Sequence, residues 1–378
     1  MKSLYHNMVR FEAAPRAKAF TLVEMLLVIL IMSSLSLVAV EFVENEDDQL
    51  RYELTQDKLV AIQEAIITST TSDRMNRSTL SGYAVDNGLL PQSLSNLLIK
   101  PIDYDTYSAL HPVYDSSPDA TTGLNNEPGV SLTEASETLF KGYRASGYLP
   151  MRPGNDVAYY DGWGNIASLP NFGWMINSST DAISVTSLGR DNLDNNPEAS
   201  GYDTDLQKTI LSDAWQADIE GWQVTIVNRS GTDLAIDDTG SGECIRISLL
   251  VYINDNDATT AYNWRRLTTE CLSGNAGILS DGSCLDGDGD SLVQEVTCPQ
   301  SKTVTFPATG TFQTSTRVPV GDHLLVLLID DNATPHDGSS GETFCLDNTN
   351  CTSGSRVTRR VRFEPRSLLP LVNMEIGQ

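Results

Sequence analysis

Residues 20–43 read FTLVEMLLVILIMSSLSLVAVEFV, and this stretch decides how the chain is organised. From Met25 to Val40 there are sixteen residues without a charge. With Phe20–Val23 added, the run approaches the roughly 20 residues that carry a helix across a bilayer. Lys2, Arg10, Arg16 and Lys18 precede it, and Glu41, Glu44, Glu46, Asp47 and Asp48 follow it. Basic flanks stay on the cytoplasmic side, which places residue 1 in the cytoplasm and the bulk of the chain outside. No Pro or Gly, the two strongest helix breakers, occurs between residues 20 and 81. Leu50, Leu54, Leu59, Ile62 and Ile66 recur among Arg51, Glu53, Asp57, Lys58 and Glu64. That amphipathic stripe needs a sheet to cover it. The pattern predicts one helix from about residue 20 to 70, ~75 Å long at ~1.5 Å per residue, and a polar loop over 68–81.

Glu24 interrupts the apolar run. A carboxylate there costs a few kcal/mol on insertion scales, and lipid tolerates it once a cation neutralises it. The plain alternative is an interfacial acid reaching for the headgroups. Ala19-Phe20-Thr21-Leu22-Val23-Glu24-Met25, behind a basic leader, resembles the class III prepilin signal of type IV pilins and type II secretion pseudopilins. The resemblance implies cleavage by a prepilin peptidase between Ala19 and Phe20 and methylation of the new amine. It also implies that Glu24 pairs with the N-terminal amine of a neighbouring subunit during assembly. Ala19 stands where the family usually has Gly, and Glu41 where many pilins have Pro.

Composition bounds the partners. The 378 residues suit two or three units, and 40% hydrophobic content is enough to build cores. Fifty acidic residues against 25 basic ones give a net charge of -25. Nucleic acid is therefore an improbable partner, because phosphates need basic patches.

The middle region runs Tyr83…Asp86-Asn87-Gly88…Pro91, then Tyr160-Asp-Gly-Trp163-Gly164-Asn165, then Ile183-Ser-Val-Thr-Ser187-Leu188-Gly189-Arg190-Asp191, and closes on Asp203 and Asp205. Calcium takes six to eight oxygens from carboxylates and carbonyls on a bendable loop. Asp191, Asp194, Asn195, Asn196, Asp203 and Asp205 offer them; a solvated acidic loop is the alternative. In this order the pieces are similar to the major pseudopilin of type II secretion systems. That family pairs its long helix with a small antiparallel sheet and staples its last loop with calcium. By resemblance, Leu188, Asp191, Asp203 and Asp205 are the ligands. Asp161-Gly162 replaces the family's Asp-Pro, and the loop is longer, with Asp191 and Asp203 twelve apart.

Short apolar runs at 222–227, 244–253, 303–306, 323–329 and 357–363, separated by Gly, Asn, Asp and Ser, predict an antiparallel β sandwich. Within it, Asp286, Asp288 and Asp290 alternate around Gly, the opening of an EF-hand-like loop that Leu292 and Glu295 could complete. All six cysteines, Cys244, Cys271, Cys284, Cys298, Cys345 and Cys351, lie in this part. An even number in a loop-rich extracytoplasmic region reads as disulfides. Pairing stays open, with Cys345–Cys351 the local guess and buried free thiols the alternative. Arg356, Arg359, Arg360, Arg362 and Arg366 form the one basic stretch, either a solvated strand face or a contact for an acidic neighbour.

The expected fold is α+β: a long N-terminal helix on a small antiparallel sheet, then a separate sandwich-like β domain. The expected units are a leader (1–19), a membrane and assembly helix (20–43), a pilin-like periplasmic domain (44–212) and a disulfide-bearing β domain (213–378). No P-loop, GxSxG or HExxH occurs and His323 reads as structural, so no enzyme is expected. The expected function is a structural subunit of a type II secretion pseudopilus or type IV pilus. The second reading is a minor tip pilin whose β domain is an adhesin or cargo-binding module. Expected partners are the prepilin peptidase, other pilins or pseudopilins, the inner-membrane assembly platform, and lipid before assembly. The expected location is the inner membrane, single-pass, or an assembled filament, with calcium as cofactor.

Overall fold

The computed structural model describes residues 21–72, 77–114, 130–132, 137–150, 158–165, 171–194, 201–228, 244–254, 263–268, 301–306, 316–330 and 357–376. Helix α1 spans Leu22–Ile66, about 67 Å at ~1.5 Å per residue. Thr21 caps it, and it stops where Ile67 turns extended at φ -154. Strands β1 (Thr68–Ser72) and β2 (Arg77–Ser81) follow as an antiparallel hairpin, where the sequence reading expected a loop. Thr68, Thr70 and Thr71 explain the difference: β-branched side chains suit strands even when polar.

Next come α2 (Tyr83–Asn87), α3 (Ser95–Leu98), β3 (Ser108–Leu110), β4 (Val113–Tyr114), β5 (Val130–Ser131) and β6 (Leu139–Lys141). β3 pairs β6, and β4 pairs β5. The expected turn at Asp86-Asn87-Gly88 is the end of α2, with Gly88 in the left-handed region at φ 74. Strands β7 (Trp174–Ser178), β8 (Ile183–Ser187) and β9 (Leu206–Ile210) form an antiparallel sheet in the order β7-β8-β9. This sheet and α2–α3 cover the C-terminal end of α1. Leu59, Ile62, Ala65 and Ile66 pack with Tyr83, Leu94, Leu97, Trp174, Ile183, Val185 and Ile210. The covered stripe is shorter than its spacing promised, because Leu50 and Leu54 remain 65% and 46% exposed.

Helix α4 (Ser212–Trp215) and β10 (Gln216–Asp218) carry the chain from one core to the next: Trp215 belongs to the first, Ala217 to the second. Strands β11 (Gln223–Asn228), β12 (Cys244–Tyr252), β13 (Trp264–Thr268), β14 (Ser301–Thr305), β15 (Arg317–Pro319), β16 (Gly321–Asp330), β17 (Thr358–Phe363) and β18 (Val372–Ile376) follow. They make a four-stranded sheet, β13-β12-β16-β17, and a three-stranded one, β14-β11-β18, while β15 pairs β10. Val224 and Ile226 from one sheet meet Ile247, Leu249, Val251, Leu325, Leu327, Val361 and Phe363 from the other, so the expected sandwich is present. Trp222 stacks on Phe306 at 5.1 Å and meets Phe363 edge-on at 5.1 Å.

The opposite face of the four-stranded sheet is buried as well. Leu250, Tyr252, Trp264, Leu324 and Val326 pack against Leu132 and Leu139 of the middle region. Two covered faces explain why β12 and β16 read as continuous apolar runs rather than alternating ones. β18 was not read from the sequence, since the alternation of Val372 and Met374 with polar residues is too short to stand out and its parallel pairing with β11 is distant in sequence.

Candidate functional site

The N-terminal turn of α1 is built by two side chains. The Thr21 hydroxyl accepts from the Glu24 amide at 3.3 Å. The Glu24 carboxylate accepts from the Thr21 amide at 2.8 Å and from the Thr21 hydroxyl at 3.1 Å. This is a capping box: two of the amides a helix start leaves unpaired are satisfied reciprocally. It also fixes the carboxylate at the positive end of the helix, on the amide of the residue after Phe20. Ala19 and Phe20 lie outside the described residues.

Beyond this turn the helix is apolar all round. Every large apolar side chain from Leu22 to Val38 is exposed, Leu22 at 78% and Leu37 at 73%. A solvated monomer does not carry such a surface. The hydroxyls of Ser33, Ser34 and Ser36 donate to the carbonyls of Ile29, Ile31 and Met32 at 2.7–2.8 Å. Each polar group in the run is thereby satisfied inside the helix, as an apolar surrounding demands. Among the described residues no helix is long and apolar enough to cross a membrane.

Further down, α1 is tied to the turn at 160–165. The Thr55 hydroxyl accepts from the Gly162 amide at 2.9 Å, and Lys58 Nζ donates to the Tyr160 carbonyl at 2.8 Å. Gly162 permits this approach, since a Cβ there would sit 2.0 Å from the Arg51 carbonyl oxygen. Asp161, 3% exposed, accepts from the Asn165 amide at 3.1 Å, from Asn165 Nδ2 at 2.9 Å and from the Ser187 hydroxyl at 2.7 Å. Asn165 Nδ2 also donates to the Gly189 carbonyl at 2.8 Å. The two motifs read from the sequence, at 163–165 and 187–191, thus form one hydrogen-bonded unit.

The acidic loop begins there. The Arg190 guanidinium meets both Asp203 oxygens, at 2.9 and 3.2 Å, and reaches Asp48 on α1 at 2.7 Å. Asp191 Oδ1 accepts from the Leu193 amide at 3.1 Å, and Asp205 lies beyond Thr204 at the start of β9. Among the described residues, no group of three or more metal-ligating side chains is assembled. Leu188, Asp191, Asp203 and Asp205 lie on one loop, with both Asp205 carboxylate oxygens buried. Sequence reasoning gave Arg190 no role. Its signal was a lone cation between Gly189 and Asp191 in an acidic segment.

The second candidate loop, Asp286, Asp288, Asp290, Leu292 and Glu295, lies outside the described residues, as do Cys271, Cys284, Cys298, Cys345 and Cys351. Cys244 opens β12. The basic stretch does have partners within the chain. Arg362 pairs with Asp322 at 2.8 Å and Arg366 with Asp213 at 2.9 Å. Arg359 donates to the Asn373 carbonyl and Arg360 to the Thr138 carbonyl.

His323 is fully buried and bonds the Pro319 carbonyl through Nε2 at 2.7 Å. Burial pushes its pKa down to about 3. Lys141 is buried beside it, its ammonium on the Val85 carbonyl at 2.9 Å, and burial lowers its pKa to about 8.

The family model of the prokaryotic N-terminal methylation motif matches residues 15–40. The segment thus carries a class III prepilin signal, which implies a pilin-like or pseudopilin protein processed by a prepilin peptidase and assembled with other pilins. No curated protein and no solved structure matches the chain.

Proposed function

We propose that this protein is a subunit of a type II secretion pseudopilus or a type IV pilus, polymerising through α1 after removal of residues 1–19. The observation that carries the reading is the pairing of a fully apolar, exposed helix with a carboxylate held at its first turn. Before assembly, lipid covers the apolar side chains in the inner membrane, with the N-terminus cytoplasmic. In the filament, neighbouring helices cover them. Cleavage before Phe20 creates an amine, and Glu24 then has a cationic partner on an adjoining copy. That ion pair offsets the cost of a carboxylate in hydrocarbon. No step in this role requires catalysis, and the reading assigns no catalytic residue. Calcium at Asp286, Asp288, Asp290, Leu292 and Glu295, and disulfides among the six cysteines, would harden the exposed part.

Glu24→Ala tests the reading. The variant should remain in the membrane fraction, because the apolar run is intact, yet fail to enter sheared filaments. Incorporation at the wild-type level would refute the role of Glu24.

One observation favours a tip or low-copy position. The sandwich is joined to the first core by a polar seam as well as by Leu132 and Leu139. The Asn254 amide donates to the Asn87 carbonyl at 2.7 Å, and Asn254 Nδ2 to Asn87 Oδ1 at 2.8 Å. The Tyr252 hydroxyl and Asn263 Nδ2 both donate to Asp105, at 3.0 and 2.8 Å. A fixed domain of this size cannot swing aside to admit close neighbours along a shaft. Its free surface would then serve as an adhesin or cargo-binding face.

A further inference from the structure

We propose that Arg190 is the cation that closes the acidic loop on α1, in the position where the resemblance led one to expect a divalent metal. The guanidinium takes both oxygens of Asp203 in a fork and Asp48 with its remaining nitrogen, at 2.9, 3.2 and 2.7 Å. A planar, permanently charged fork matches carboxylate geometry in a way a lysine does not. Backbone placement supports the arrangement. The Arg190 amide donates to the Tyr202 carbonyl at 2.9 Å. Gly189, at φ +67, lets the Asp203 carbonyl oxygen come within 2.8 Å of where a Cβ would be. Both chain ends of the loop are thus already together where the side chains meet.

Calcium needs six to eight oxygens converging on one point, and two of the carboxylates expected to supply them are engaged by donors of the chain itself. Asp203 has both oxygens on the guanidinium, and Asp191 has one on the Leu193 amide. A second positive charge at Asp203 would be repelled by Arg190. The contact with Asp48 adds what a metal confined to the loop would not give. It ties the loop to α1 just past the end of its apolar run, next to the edge-on contact of Tyr52 with Tyr202 at 5.8 Å. Arg190 therefore acts as a positioning residue, fixing where the globular part sits along the assembly helix. This role rests on the loop geometry and does not require the filament reading.

The test is local hydrogen exchange of the full chain in detergent, read on peptides covering residues 186–194 and 201–207. With Arg190 intact, exchange in these peptides should be the same in chelator and in ~5 mM calcium, above the weakest calcium-module dissociation constants of ~1 mM. Arg190→Ala should speed exchange there about fivefold at low salt, the effect of losing roughly one exposed charge network. Arg190→Lys should fall between the two. Slower exchange with calcium in the intact protein would overturn the proposal, as would an Arg190→Ala variant that exchanges like wild type. Because the readout is confined to this loop, calcium bound at residues 286–295 does not disturb it. Filament assembly plays no part in the measurement, so the outcome is separate from that of Glu24→Ala.

Discussion

At the residue scale, several ionisable groups are buried, Lys141, Arg246, Arg266 and His323 among them. His323 shows the consequence. Its pKa falls from 6.5 to about 3 through burial, so it is mostly neutral in both folded and unfolded chains at pH 7 and contributes little there. As pH drops below 6.5 only the unfolded chain takes the proton, and stability falls until about pH 3. His323→Gln, which can still donate to the Pro319 carbonyl, should therefore show a shallower loss of stability between pH 6.5 and 3. Urea midpoints measured across that range check it, and parallel curves for variant and wild type would refute it. Lys141 has the same sign at higher pH. Between about 8 and 10.5 the buried ammonium has lost its proton while the unfolded one has not, so its burial cost fades as pH rises.

At the element scale, the position of α1 is decided by backbone contact rather than by apolar area alone. The exposed Leu50 and Leu54 show that the amphipathic stripe does not register the helix over that turn. Thr55, Gly162 and Lys58 do. Gly162→Ala would place a Cβ 2.0 Å from the Arg51 carbonyl oxygen and 2.6 Å from the Thr55 hydroxyl. The helix must then shift, and the expected loss is about 2 kcal/mol or more. Gly164→Ala is the control. It has open space around it but a φ of +75, so only backbone strain of about 1 kcal/mol applies. Denaturant unfolding of both variants checks the difference, and equal losses would mean that the close approach is not what matters. The sequence showed the turn motif, but not that its second residue touches the helix. That contact joins residues 107 positions apart, and no local pattern encodes it.

At the scale of the whole molecule, the sandwich and the first core share an interface with an apolar part and a polar part. Leu139 is fully buried in the cluster that joins them. Leu139→Ala should lower stability by about 2–5 kcal/mol, the usual range for such truncations. The two cores should also unfold together. Peptides containing Trp174 in one and Trp222 in the other are expected to lose exchange protection at one denaturant concentration, in wild type and variant alike. Separate midpoints would show that the seam through Asn87, Asp105 and Asn254 does not couple them. Such coupling would carry a force on an exposed face of the sandwich directly to α1.

By itself the sequence determined the processing signal, the long helix and the sandwich, for one physical reason. Apolar runs, absent helix breakers and period-two alternation are local properties that the chain carries whatever surrounds it. The strands read at 222–227, 244–253 and 323–329 stand close to where they were expected. The hairpin at 68–81 was hidden by its polar composition, and the parallel pairing of β18 with β11 joins strands distant in sequence. Only the tertiary structure decided that Arg190 lies between Asp203 and Asp48, that Gly162 rests on α1, and that the four-stranded sheet is covered on both faces. These depend on side chains far apart in the chain meeting at hydrogen-bonding distance, which no sequence spacing specifies.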